Sequence, residues 1–94
     1  MTGARTIRFF FDWGHRWPLW ESGTDKYTME PSDFGLSEEL TKRLRRLYDF
    51  WSEHADPFDG WDSEENFQRF DSDRTEVIQL LRSELPDGIS LSVE

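Results

Sequence analysis

Residues 47–68 hold seven carboxylates, Asp49, Glu53, Asp56, Asp59, Asp62, Glu64 and Glu65, six aromatics, Tyr48, Phe50, Trp51, Phe58, Trp61 and Phe67, and no lysine or arginine. Carboxylates can move protons, hold a cation or accept charge-assisted hydrogen bonds from a basic partner. Aromatic side chains supply the rigid apolar anchors that carry much of the binding energy at protein interfaces. Spacing separates these chemistries. A calcium-binding EF-hand loop needs glycine at its sixth position, oxygen ligands at the first, third and fifth, and glutamate at the twelfth. Aligned on Gly60, the chain offers Ala55 first, Pro57 third and Asn66 twelfth, so the match fails. Turn formation and helix capping account for Asp56, Asp59 and Asp62 without a metal. Carboxylate pairs are so numerous that one resembling a glycosidase couple is inevitable and carries no weight.

The other routes to catalysis are equally bare. His15 and His54 are the only histidines and there is no cysteine, which removes thiolate chemistry, disulfides and Cys-bearing zinc sites. No G-x-S-x-G elbow, phosphate-binding glycine loop or dinucleotide fingerprint is present. The expectation is a protein that is not an enzyme and uses no cofactor or metal.

Charge then says what such a surface would meet. Residues 1–36 carry four basic and five acidic side chains, and residues 37–46 carry Lys42, Arg43, Arg45 and Arg46 against two acids. Residues 47–94 carry three basic side chains against thirteen acidic ones, so the second half accounts for the net charge of −9. Such a field repels nucleic acid, whose binding needs cations to neutralise phosphates, and favours a cationic protein. The longest apolar run, residues 9–11, falls far short of the ~18 residues of a membrane span or the ~7–15 of a secretion-signal core. A cytoplasmic location is therefore expected. Ninety-four residues are read as a single domain, 1–94, and an aromatic content of 16 % argues for a folded chain.

The elements that must position these residues follow from periodicity. Residues 5–13 alternate Ile7, Phe9, Phe11 and Trp13 with Arg8, Phe10 and Asp12, which predicts a strand, central in its sheet if Phe10 makes its second face partly apolar. Residues 14–36 are too long for an ordinary connection and are expected to hide a brief strand at 26–29. Trp17, Leu19 and Trp20 in that stretch either cap the core or stand exposed. Ser37 predicts a helix N-cap, followed by the stripe Leu40, Leu44, Leu47, Tyr48 and Trp51 and an end near His54. Asp62 and Glu65 have the spacing of a capping box for a second helix, whose stripe runs Phe67, Phe70, Val77, Ile78, Leu81 and Leu85 with Arg74 interrupting it. Pro86 and Gly88 turn the chain into a closing strand of Ile89, Leu91 and Val93. The fold expected is α+β in β-α-α-β order, a two-layer sandwich with a small sheet of two or three strands covered by an α-helical hairpin. If the first helix starts where the first strand stops, the last strand runs antiparallel to it; the length of the 14–36 segment leaves this open.

Removing the residues needed for helix stripes and caps leaves one turn between the helices as the expected recognition surface. It comprises Asp49, Glu53, Asp56, Phe58, Asp59, Trp61 and Glu64; the partner-binding set adds the capping residues Asp62 and Glu65 beside them, and Trp20 as a second aromatic anchor with Trp61.

At Trp17-Pro18-Leu19-Trp20 and Glu30-Pro31-Ser32-Asp33-Phe34-Gly35-Leu36-Ser37-Glu38-Glu39-Leu40 the chain resembles small acidic actinobacterial proteins that have a P-L-W element and a P-x-D-x-G-L-S-x-x-L helix start. These motifs are a turn, a cap and a helix start, so the resemblance implies a fold and supplies no catalytic or binding residue. In size, acidity and simple build the chain is also similar in character to immunity proteins of bacterial toxin systems. The reading is an acidic binding protein that neutralises a basic partner protein, a nuclease toxin being the foremost case, without contacting nucleic acid or membrane itself, as a monomer or homodimer. Its alternatives are a nucleic-acid mimic that inhibits a DNA-binding enzyme, and a self-associating structural module joined through the sheet.

Overall fold

The computed structural model describes residues 5–21 and 27–94. Strand β1 (Arg5–Phe9) lies at the centre of a three-stranded sheet between β2 (Leu19–Trp20) and β5 (Ile89–Val93). Helices α1 (Glu38–His54) and α2 (Glu64–Glu84) pack on one face, and the turn between them contains a second small sheet, β3 (Ala55–Asp56) with β4 (Gly60–Trp61). This is the α+β sandwich of small sheet and helical hairpin that the periodicity implies.

The apolar alternation of β1 works as its pattern requires. Ile7 and Phe9 are buried beneath the helices with Leu19, Met29, Phe34, Leu40, Leu44, Leu47, Phe70, Val77 and Leu81. The strand itself is shorter than residues 5–13. It ends at Phe9, because residues 12–15 form a turn in which the Asp12 carboxylate accepts the Gly14 N–H at 2.9 Å and its carbonyl accepts the His15 N–H. Phe11 still packs on the core from outside the strand, 5.2 Å from Phe70, while Trp13 is exposed and lies over Trp51 at 4.1 Å between ring centres.

The brief second strand falls at Leu19–Trp20 rather than at residues 26–29. Lys26 lies outside the described residues; Thr28 bridges to Trp20, and Met29 N–H donates to the Leu19 carbonyl, so this segment returns along the outer edge of β2. The Trp-rich stretch is consequently a cap: Leu19 is fully buried and Trp17 half-buried against the core.

Strands β1 and β5 are parallel, with Arg5 opposite Ile89 and Phe9 opposite Val93. The condition for an antiparallel closing strand is not met, since α1 starts at the end of the sheet where β1 begins. At that end the Ser37 N–H and Oγ–H donate to Glu84 at 2.7 Å, and the Arg5 guanidinium lies over the ring of Phe34 at 5.9 Å. The 10–36 segment carries the chain back there, so the helical hairpin returns it to the starting end and β5 must run with β1.

Helix α1 has the expected bounds, capped by Ser37, whose Oγ accepts the Leu40 N–H at 3.1 Å. Helix α2 starts one residue later than the capping-box spacing suggests, because Ser63 is its N-cap and accepts the Asn66 N–H. Asp62 is occupied elsewhere, and Glu65 is left out of the cap. Arg74, the interruption in the α2 stripe, donates to Asp71 at 2.7 Å and leans over Phe70.

Among the described residues Glu21 is the one buried charged side chain, 3 % exposed, and it receives two hydrogen bonds from the Arg5 guanidinium at 2.8 and 2.7 Å. Those bonds hold its carboxyl below the usual glutamate range against the opposing effect of burial. Its contribution to stability is thus present at neutral pH and is lost as pH falls through the depressed pKa. Glu21→Gln should cost about 1–2 kcal/mol at pH 7 in urea unfolding, the lower end of the range for charged hydrogen bonds because Arg5 is half in water. That deficit should shrink toward acid pH.

Candidate functional site

The chain between the helices is a built hairpin and not a simple break. Ala55 pairs with Trp61 and Asp56 with Gly60, antiparallel, around the loop Pro57-Phe58-Asp59. Asp56 makes the turn: its Oδ1 accepts the backbone N–H of Phe58 at 2.7 Å and of Asp59 at 3.0 Å. Both bonds favour the ionised carboxylate and hold Asp56 below the ordinary aspartate range. Gly60 takes φ 78°, the left-handed conformation that lets a short hairpin close.

The hairpin is fixed to the helices at its base. The Asp62 N–H donates to the His54 carbonyl at 2.9 Å, closing the end of α1 onto the start of α2. The Asp62 side chain then accepts from Asn66 Nδ2 at 3.0 Å and from His54 Nδ1 at 2.7 Å, and these bonds depress its pKa, Asn66 contributing most. Beneath them Trp61 is half-buried, its ring 4.9 Å from Phe70 and 5.7 Å from Phe67, while Phe50 packs against His54 at 4.4 Å with the rings tilted by 46°. The base is therefore an aromatic pile stapled by a charged network.

The tip differs in kind. Phe58 is 94 % exposed, and Asp56, Asp59, Asp62, Glu64 and Glu65 of the same segment all lie at the surface. Asp49 and Glu53 are exposed on the adjoining turns of α1. They border a groove of about 410 Å³ between the helices, floored by Leu47, Phe50 and Val77 and edged also by Arg43, Arg46 and Asp73.

Of the ten residues expected to meet a partner, the geometry gathers nine on or beside the hairpin. Trp61 belongs to its base more than to its surface. Trp20 does not join them: it is 7 % exposed and its Nε1–H donates to the Phe10 carbonyl at 3.1 Å. Its ring stacks on Phe10 at 4.6 Å on the sheet face turned away from the helices. It caps that face. Sequence reasoning missed the groove residues Arg43, Arg46, Asp73 and Val77, which lie on two helices and share no local pattern. It also missed the support from His54 and Asn66; the hairpin itself was signalled by Asp56-Pro57 followed by Gly60 between Ala55 and Trp61.

Among the described residues no group of three or more His, Asp or Glu is arranged to hold a metal ion, and no helix is long and apolar enough to cross a membrane. Breaking the staple should loosen the hairpin without unfolding the core. Asp62→Asn is expected to raise amide exchange at residues 55–61, leaving Leu44 and Val77 amides protected. It should also remove part of the stability lost on acidification below pH ~4, where a depressed aspartate takes up its proton.

No curated protein matches the chain. A family model described as Serratia CdiI immunity protein-like matches residues 5–93, from the first residue of β1 to the last of β5, with the hairpin inside it. The chain thus belongs to the Serratia CdiI immunity protein-like family.

Proposed function

We propose that the chain is a toxin immunity protein that blocks a basic toxin domain by direct binding, with the β3–β4 hairpin as its central contact. Family membership supports the immunity role. The observation that carries the choice of surface is Phe58, 94 % exposed at the tip of a braced hairpin, in a turn it shares with Asp56 and Asp59. A single exposed aromatic is ordinary; one held on a fixed turn, in a stretch without a single lysine or arginine from residue 47 to 68, is suited to anchoring.

The two parts of the surface divide the work. Carboxylates at Asp49, Glu53, Asp56, Asp59, Asp62, Glu64 and Glu65 steer a cationic partner, and Asp49, Glu53, Asp59, Glu64 and Glu65 accept hydrogen bonds from its lysines and arginines. Phe58 then fills a pocket on that partner and excludes water from the pairs around it. A nuclease toxin fits this chemistry, since the cations that grip phosphate are the ones a carboxylate surface can occupy. The protein acts by occupying the partner, in equal numbers, and turns nothing over.

Two variants separate anchoring from steering. Phe58→Ala should weaken the complex with the cognate toxin by about 2 kcal/mol or more, mainly through faster dissociation, as truncation of an interface anchor does. The pair Glu53→Lys and Asp59→Lys, whose side chains carry none of the hairpin's backbone bonds, should slow association and flatten its dependence on salt. Surface plasmon resonance across a salt series reads both. Unchanged kinetics in all three substitutions would place the toxin on another face.

A further inference from the structure

The two edges of the three-stranded sheet are finished differently. Along β2, residues 27–29 cover the edge: Glu21 N–H donates to the Tyr27 carbonyl and Met29 N–H to the Leu19 carbonyl, both at 2.9 Å. At the other edge β5 is the last strand among the described residues. In a parallel ladder alternate residues turn both backbone groups toward the neighbouring strand. Arg5 N–H donates to the Gly88 carbonyl at 3.3 Å and Glu94 N–H to the Phe9 carbonyl at 3.0 Å, so Gly88, Ser90, Ser92 and Glu94 face β1. Leu91 and Val93 turn their N–H and C=O groups outward, as does the Ile89 carbonyl; the Ile89 N–H is already given to Pro86 at 3.2 Å.

Natural edge strands are usually guarded by a lysine, a proline, a bulge or a covering segment. Ile89–Val93 contains no charged residue and no proline. On its helix-facing side Ile89 and Leu91 are only half-covered and Val93 is 39 % exposed.

We propose that this edge joins two copies of the chain, β5 pairing antiparallel with itself about a two-fold axis at Leu91 to make one sheet across both. The hydrogen-bonding groups fit that register. Leu91 exchanges N–H and C=O with Leu91 of the second copy, and each Val93 N–H reaches the Ile89 carbonyl of the other. The one donor that this register leaves out, the Ile89 N–H, is the one satisfied within the chain. Side chains fit as well: Ile89 meets Val93 and Leu91 meets Leu91, extending the apolar row, while Ser90 meets Ser92 on the far face.

Charge favours a second copy as the occupant. In a chain of net charge −9, most surfaces would set carboxylate against carboxylate on self-contact. Here Glu94, whose carboxylate is held by Arg8, stands opposite Gly88 of the second copy, and no like charges face each other along the strand. A basic toxin finds nothing on Ile89–Val93 to grip. No residue of the hairpin lies in Ile89–Val93, so this inference does not depend on the proposed function.

Sedimentation velocity over a concentration series, repeated at high salt, tests the dimer, which should persist in salt because no ion pair holds it. Val93→Pro deletes an outward N–H and no bond to β1, and should weaken the dimer at least ~10-fold, whereas Val93→Thr, which retains the N–H, should leave it intact. Amide exchange in the unmodified chain gives an independent reading should the proline variant misfold: Leu91 and Val93 amides should be slow and become faster on dilution. A monomer at every concentration, or a dimer in which those amides exchange rapidly, overturns the proposal. So does protection of Leu91 and Val93 that appears only when the toxin is added, which would assign the edge to the toxin.

Discussion

The parallel pairing of β1 with β5 dictates where the remaining elements lie. Adjacent parallel strands need a crossover that delivers the chain back to the starting end. Here the crossover contains two helices, which by themselves return the chain to the end from which they set out. The 10–36 segment must therefore first carry it back along the sheet; Leu19–Trp20 runs that way, residues 27–29 reverse along its edge, and the stretch containing the helical turn Pro31–Phe34 brings the chain to the end where Arg5 lies over Phe34. With α1 launched from the end where β1 begins, the α1–α2 connection falls at the end where β1 finishes. The contacts of Phe11 with Trp51 and Phe70 record that placement.

This arrangement explains why the hairpin can be both rigid and exposed. Its base rests on an aromatic pile that is continuous with the core, from Phe70 through Trp61 to Phe67. Its tip projects past the sheet and has nothing to pack on. The acidic network does two kinds of work there. Asp56 and Asp62 spend their hydrogen-bonding capacity on the backbone and on His54 and Asn66, while Asp59, Glu64 and Glu65 remain at the surface as charge. A charge-bearing surface built on a fixed backbone loses little conformational freedom on binding, which is how a small interface gains affinity.

Periodicity made much of this legible. Alternation located Ile7 and Phe9, the Ser37 cap and the leucine stripe located α1, and the Pro86–Gly88 turn located β5. What local pattern could not give was long-range geometry. Strand direction depended on where residues 14–36 lead the chain, and β1 stopped early because Asp12 could bond Gly14 in a turn instead of continuing the ladder. The capping-box spacing of Asp62 and Glu65 was misleading because Ser63, one position on, could cap α2 while Asp62 met His54 from the other helix. Trp20 had the residue type of an anchor, yet its alternation partner Leu19 faced the core and left it to cover Phe10. At the site, composition marked out residues 47–68, and the structure supplied their division into base and tip.

Whether the acidic hairpin meets a toxin is read from the NMR spectrum of the isotopically labelled chain as its cognate toxin domain is added. The largest shifts and broadening are expected at residues 56–65, with the Phe58 ring most affected, and little change along β1 and β2. Perturbations confined to the sheet or to the outer face of α2, with the Phe58 ring unmoved, would contradict it.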